Sequence, residues 1–571
     1  MVNPNLIKVA SGAKKADLVL KNARVVNVFT AEIELSDIAI SGGRIAGIGQ
    51  YHGMVEIDLF GAYVAPGLID GHVHIESSML VPHEFAKLVM PFGTTTVIAD
   101  PHEIANVMGI DGIRLMIESA KKTPLDVFMM IPSCVPSTEF ETSGAEIGVH
   151  DILEIIKMEH ILGLGEVMNY PSVIGCDERV LSKIKAVEDR PIDGHAPGLS
   201  GKALSAYIAS GILTDHESST VAELKDKVKN GLYVHLREGS QTRNVLDLLP
   251  GMTVENKHRL LFCTDDKHPK DIALEGHINY NINLAIKNGI SPFWAIQLAT
   301  INIANCYGLK RLGAIAPGYQ ADLIVFDSLS EIKPRQVYKN GILVAENGHA
   351  LFDAVRIEDT LAERSVKIDE RKLDFRLPLK SNRIKVIGLV DNNVTTTKFI
   401  ATVKIDHGFY VHDPKSDLLK IAVVERHHLT GNIGLGLIKG YGLKNGAVAM
   451  TIAHDSHNLI VVGDRDEDML LAVKTLNTIQ GGIVLVNNGV VMDSLPLEIA
   501  GLMTQSSADS VRIKLQNMES IARAMGVKNA IVDPFLALAF LSLPVIPELK
   551  LTDKGLFDVD KFSMVEIEEG A

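Results

Sequence analysis

The 571-residue chain predicts an α/β protein built on a (β/α)₈ TIM-like barrel, with a small flanking β domain and a C-terminal α+β domain. Three observations predict it. From about Pro66 to Leu312, short apolar runs alternate with helix-period patterns, the mark of repeated βα units. That span matches the roughly 250 residues of an eight-fold barrel. Strand-like segments bracket it on both sides, and the chain is too long for one hydrophobic core.

The elements follow in chain order. Asp17 to Val64 alternates apolar and polar residues between Gly and Asn turns, which predicts a small antiparallel β unit. ADLIVFD (Ala321 to Asp327) and VYKNGILV (Val337 to Val344) are further strands after the barrel. The two segments, 1–65 and 313–374, are expected to pair into one small β domain, because the ends of an inserted domain lie close together. Within 66–312 the eight candidate strand ends are GHVHIE (Gly71 to Glu76), TTTVIADPHE (Thr94 to Glu103), VFMMIPSC (Val127 to Cys134), LGLGEVMN (Leu162 to Asn169), PIDGHAPG (Pro191 to Gly198), GILTDHES (Gly211 to Ser218), YVHLREGS (Tyr233 to Ser240) and LLFCTDD (Leu260 to Asp266). Residues 375–571 open with strands such as RIKVIGLV and FIATVKI. Two amphipathic helices are expected there, at DEDMLLAVKTLNTIQ and SADSVRIKLQNMESIARAMG, with Ser or Asp available as caps.

Composition narrows the function. With 46% hydrophobic and 22% charged residues the chain can bury a sizeable core. A net charge of -14 repels polyanions, so neither nucleic acid nor an anionic membrane is the expected partner, and a small neutral or cationic substrate fits better. Cys134, Cys176, Cys263 and Cys306 form no CxxC pair, which argues against a thiolate zinc site or a disulfide scaffold. With no apolar leader and no membrane-length apolar run, a cytoplasmic location is expected.

The chemistry is carried by where histidines and carboxylates fall on the strands. His72 and His74 are two apart on the first strand and so share a side. Glu166 ends the fourth strand, His195 the fifth, His216 the sixth and Asp265 the eighth, and all these ends open on one barrel face. Imidazole and carboxylate donors without thiolate suit zinc, iron, manganese or nickel, and six ligands exceed the need of one tetrahedral ion. Two ions bridged by the two oxygens of Glu166 is the economical reading. A hydroxide between them would be the nucleophile, and Asp265 could ligate one ion and accept the proton of the attacking water.

The segments APGLIDGHVH, GAIAPGYQADLIVFD and the helix ending QLATINIANCYGL resemble the amidohydrolase superfamily. Many of its binuclear members carry a carboxylated lysine on the fourth strand, where this chain has Glu166. That glutamate, with IESSM, ADPHEIANV, HLREGS and AHDSHN, resembles the adenine deaminase family over nearly the whole chain. The resemblance implies adenine and water as substrates, hydroxide attack at C6 to give hypoxanthine and ammonia in purine salvage, and two divalent ions, manganese or iron with zinc as the alternative. A homodimer is the expected assembly.

A second acid or base is also needed for the ring nitrogen, and Glu238 in LREGS is the candidate, its structural alternative being an ion pair with Arg237 or a neighbour. His102, Glu103, Arg237 and Ser240 are candidate substrate contacts; for His102 and Glu103, loop fixation or an extra ion are alternatives. Glu76, Ser77 and Ser78 are weaker candidates, and His235 is expected to be a buried, hydrogen-bonded histidine. His454, Asp455 and His457, with His427 and His428 upstream, could form a separate metal site, but a lid or subunit contact completing the barrel pocket fits them better. The rival activities are hydrolysis of a cyclic amide, as in dihydropyrimidinases and dihydroorotases, and a catalytically dead scaffold. The absence of an H-x-E…P-C-x-x-C signature sets aside the zinc deaminases that act on flipped bases.

Overall fold

The computed structural model describes residues 2–187, 189–357, 362–391 and 393–569. At its centre stand eight parallel strands: β1 (Leu68–Val73), β2 (Thr94–Ala99), β3 (Asp126–Ile131), β4 (Ile161–Val167), β5 (Ile192–Gly194), β6 (Thr214–Asp215), β7 (Tyr233–Arg237) and β8 (Leu260–Cys263). Strands β1 to β5 form one run and β6 to β8 another. Two seams close them into a ring. Asp265 N donates to His72 O (3.0 Å) and His74 N to Asp265 O (3.2 Å), joining β8 to β1, while Leu213 N donates to Ile192 O (2.9 Å), joining β5 to β6.

The strands are short apolar runs buried on both faces, as a parallel sheet jacketed by helices requires. Close approach sets two glycines. A Cβ on Gly71 would lie 3.0 Å from the His235 ring and the Phe262 carbonyl, and one on Gly165 would lie 2.1 Å from Asp100 Oδ2. Gly165 thus lets the Asp100 carboxylate receive the amide of Glu166 (2.9 Å).

The helix Val221–Lys229 starts at a capping box in which Glu223 N donates to Thr220 Oγ1 (3.2 Å) and Thr220 N to Glu223 Oε2 (3.1 Å). Its last turn places Lys227 beside Asp215 at the end of β6. The stretch read as one helix through QLATINIANCYGL is two, Pro292–Leu298 and Ile301–Cys306, because Thr300 leaves helical geometry (φ −142°, ψ −96°).

The flanking sheet has nine strands drawn from both sides of the barrel, joined where Leu323–Phe326 pairs antiparallel with Tyr63–Pro66. The N-terminal segment is not purely antiparallel, as expected from its turns. Ala16–Asn27 pairs antiparallel with Glu32–Ser41 but parallel with Gly53–Asp58 and Tyr63–Pro66, since the chain crosses back after Arg44–Gly49 instead of making another hairpin.

The C-terminal region is built on an eight-stranded sheet against which the helix Asp466–Ile479 buries Met469, Ala472, Val473 and Leu476. The long apolar run GAVAMTIAHDSHNLIVVG divides into antiparallel neighbours, Gly446–Met450 and Leu459–Gly463, with His454 to His457 in the turn between them. That turn is held against the barrel. Asn458 Nδ2 donates to Thr142 O (2.8 Å), and Thr142 N and Oγ1 donate to Asp553 (2.9 and 2.6 Å). Among the described residues, no helix is long and apolar enough to cross a membrane.

Candidate metal centre and active-site cavity

All six residues expected as ligands meet at the C-terminal mouth of the barrel, buried or nearly so. His72 Nε2 and His74 Nε2 stand 3.2 Å apart. Asp265 Oδ1 lies 3.6 Å from the first and 3.1 Å from the second, and Glu166 Oε1 lies 3.9 and 3.3 Å from them. The other oxygen of Glu166 has its own partners: His195 Nδ1 at 2.7 Å and His216 Nε2 at 3.3 Å. Each carboxylate oxygen therefore faces a separate pair of imidazoles.

This donor set fits two divalent cations. Ligands about 2.1 Å from a tetrahedral ion stand roughly 3.4 Å from one another, close to the spacing found here. His74 Nδ1 sits 2.9 Å from the Asp100 carbonyl, which accepts its proton and leaves Nε2 as the donor atom. The Nδ1 atoms of His72 and His216 are buried without a hydrogen-bond partner among the described residues, so those rings are held by packing, stacked 4.2 Å apart.

Electrostatics keep the carboxylates charged. Burial works to raise the Glu166 carboxyl, but His102, His195, His216 and His74 outweigh it and hold it well below the usual range. Burial likewise opposes ionisation of Asp265, and Arg237, His72 and His74 reverse the balance. Arg237 Nη1 is 2.6 Å from Asp265 Oδ2, and the same guanidinium binds both oxygens of Glu217.

A cavity of about 300 Å³ opens over these groups. Its barrel wall includes His102, Glu103, Arg237, Glu217 and Asp266, and its roof comes from the C-terminal region: His454, Asp455, Phe540, Leu543 and Ile546. His102 Nδ1 is 3.3 Å from Glu166 Oε1. Glu103 accepts from Ser77 Oγ (3.1 Å) and faces His454 Nδ1 (3.4 Å) and His457 Nε2 (3.8 Å). A larger cleft of about 390 Å³, between Met108, Arg364, Lys367 and His428, contains none of the barrel ligands.

Two expected site residues are not in the cavity wall. Glu238 follows the last inward residue of β7 and turns away toward Arg243 (3.5 Å), where burial raises its carboxyl to about 7. Ser240 bonds Asp271 and receives the amide of His268 (2.9 Å). Strand alternation sends Arg237 inward, so its successor points elsewhere. His235 is fully buried, 3.4 Å from the Tyr307 hydroxyl, as a structural histidine would be.

Glu217, Asp266 and Asp100 were missed, although each adjoins a motif, in DHE, TDD and ADPHE. The cue was a carboxylate directly beside a ligand or at a strand end. Nothing local marked Phe540, Leu543 or Ile546.

The chain is similar to known proteins along its whole length. The amidohydrolase family matches residues 63–345 and the adenine deaminase C-terminal domain matches residues 393–563. Adenine deaminase 2 of Carboxydothermus hydrogenoformans is 49% identical over 564 residues, covering 99% of both chains. Adenine deaminase of Clostridium acetobutylicum is 46% identical over 568 residues, covering 98% of this chain and 99% of its own. That of Geobacillus kaustophilus is 46% identical over 573 residues, covering 99% of each. With a barrel whose mouth gathers four histidines around Glu166 and similarity along its full length, this chain belongs to the adenine deaminase family of the amidohydrolase superfamily.

Proposed function

We propose that the protein hydrolyses adenine to hypoxanthine and ammonia. The observation that carries this reading is Glu166, whose two oxygens face separate imidazole sets beneath a small cavity, in a chain similar to adenine deaminases from end to end. His72, His74, Glu166, His195, His216 and Asp265 would hold two divalent ions, manganese or iron by family resemblance, with zinc as the alternative. Such ions, when bound, activate water as a nucleophile at neutral pH.

The chain's own groups do the rest. Asp265, kept ionised by Arg237, accepts a proton from the attacking water and passes it to the departing amine. Arg237 is locked between Glu217 and Asp265 and so orients that base. His102 and Glu103 line the cavity beside the ligands and are in position to contact the base. Phe540, Leu543 and Ile546 offer an apolar roof for a planar ring and exclude water from it.

The catalytic unit in this reading is the barrel of 66–312, supported by the β unit of 1–65 and 313–374 and roofed by 375–571. A homodimer working in the cytoplasm belongs to the same reading: the four cysteines are free thiols suited to a reducing compartment, and two-fold dimers are the commonest soluble assembly. Ammonia release from adenine, adenosine, guanine and dihydroorotate by manganese-loaded protein tests it. Adenine should be the substrate; no release from adenine sinks the reading, and ring opening of dihydroorotate would favour a cyclic-amide hydrolase.

A further inference from the structure

We propose that Asp455, delivered to the barrel mouth by the C-terminal region, touches the purine and exchanges a proton with its ring nitrogen N1. This rests on the reading of the chain as an adenine deaminase and supplies the second proton-transfer group that Glu238, outside the cavity wall, does not provide.

The cavity contains six carboxyl groups, and five have partners. Glu166 is surrounded by imidazoles, Asp265 and Glu217 share Arg237, Asp266 accepts from Ser77 (2.5 Å), and Glu103 accepts from Ser77 and faces His454. Asp455 differs. It is 2% exposed, it lines the cavity, and its Oδ2 has no hydrogen-bond partner among the described residues. A buried carboxyl oxygen without a partner is destabilising, so its retention in a cavity points to a partner that arrives with the substrate.

Its position fits N1. The His102 ring separates Asp455 from the bridging carboxylate: Nδ1 is 3.3 Å from Glu166 Oε1 and Nε2 is 3.9 Å from Asp455 Oδ1. N1 is bonded directly to C6, so a group serving it must stand beside the ligand cluster without belonging to it. Asp455, across the His102 ring from Glu166, stands there. Burial also raises its carboxyl to about 6, near the pH at which a group can both give and take a proton.

The step balances. As the water oxygen bonds to C6, the electron pair of the C6–N1 double bond moves to N1, which takes a proton from Asp455. When the C6–N6 bond breaks, its electron pair leaves with the amine, which takes the proton carried by Asp265. Of the two protons of the water consumed, one ends on ammonia and the other restores Asp455.

The test compares D455A, which leaves no donor at this position, with the wild type, both loaded with manganese, using adenine turnover and the binding of purine and 1-deazapurine, ligands that carry no amine to release and differ only at N1. D455A should keep its melting temperature and its metal content, and lose about 10²-fold or more in kcat. The wild type should bind purine about tenfold more tightly than 1-deazapurine, as a hydrogen bond from the carboxyl O–H to N1 implies, and D455A should bind the two alike. The proposal is overturned if D455A keeps kcat within about threefold of the wild type, since general acid–base groups contribute far more. It is also overturned if kcat falls while the preference for purine persists, which would assign Asp455 only to holding His102. If D455A does not fold, D455V enters the same comparison. A wild type that binds purine selectively but releases no ammonia from adenine would refute the activity and not the contact.

Discussion

Lys227 offers the sharpest test of how the barrel holds its ligand strands. Its ammonium donates to Asp215 Oδ2 and to the Ala196 carbonyl, both at 2.8 Å, and neither charged side chain has any solvent exposure. Asp215 immediately precedes His216, and Ala196 immediately follows His195, so one buried ion pair ties together two ligand-bearing strand ends. In K227M the Asp215 carboxylate would stay buried without its cation. Breaking a buried pair this way costs about 3–5 kcal/mol. Ala196 N, Ser218 N and Ser218 Oγ would still donate to Asp215, at 3.0, 3.0 and 2.8 Å, so the lower end applies.

For a barrel-sized unit, about 3 kcal/mol corresponds to a fall of roughly 6–12 °C in the calorimetric transition of the barrel. Metal affinity should fall about 10–100-fold, as for other groups that orient ligands. D215N/K227M, which removes both charges, should recover at least half of the lost stability, because replacing both partners avoids the stranded charge. K227M melting within about 2 °C of the wild type, or a double variant no more stable than the single, would show that this buried pair does not hold the two strand ends.

Further predictions concern the site and its roof. E166Q should hold less divalent metal than the wild type, read by elemental analysis, and lose nearly all turnover, because a neutral amide is a poorer ligand for a divalent cation than a carboxylate. E238Q and S240A should leave kcat for adenine within about threefold of the wild type, since neither side chain lines the cavity and general acid–base groups contribute about 10²-fold or more. His268 faces Asp533 at 3.3 Å and is the clearest source of pH-dependent stability. Burial opposes the charge on His268, and Asp533 outweighs it, raising the imidazole; burial likewise opposes the charge on Asp533, and His268 holds it down to about 2. The raised imidazole contributes stability that is fully present below its unfolded pKa near 6.5 and lost as pH rises through its folded value. The depressed carboxyl contributes stability that is present above about 3.8 and lost as pH falls through about 2. The wild type should therefore lose melting temperature on the alkaline side of about 6.5, and D533N should lose much of that dependence in a calorimetric pH series.

The barrel strands were readable because they are short buried runs, five of which carry an expected ligand at or just beyond the C-terminal end, and period-2 geometry then fixes which side chains share a face. The parallel pairing inside the N-terminal sheet was not readable, since period-2 alternation is the same for a hairpin and for a strand reached by a crossover. The same limit applies to Glu238. Its neighbourhood in LREGS looked catalytic, but a carboxyl one residue beyond an inward arginine is turned away by the pleat.

The sequence by itself determined the family, the glutamate at the fourth strand and the histidines and carboxylates that meet at the barrel mouth, because these depend on residue type and spacing within single strands. Only the tertiary structure decided the roof of the cavity. Phe540, Leu543 and Ile546 lie far from the barrel in sequence and carry no local mark, whereas Asp455 stands in AHDSHN, a cluster whose residue types suggest a lid; all four line the cavity because the C-terminal region docks over the barrel mouth. Such long-range placement is set by the packing of whole surfaces and not by any short motif.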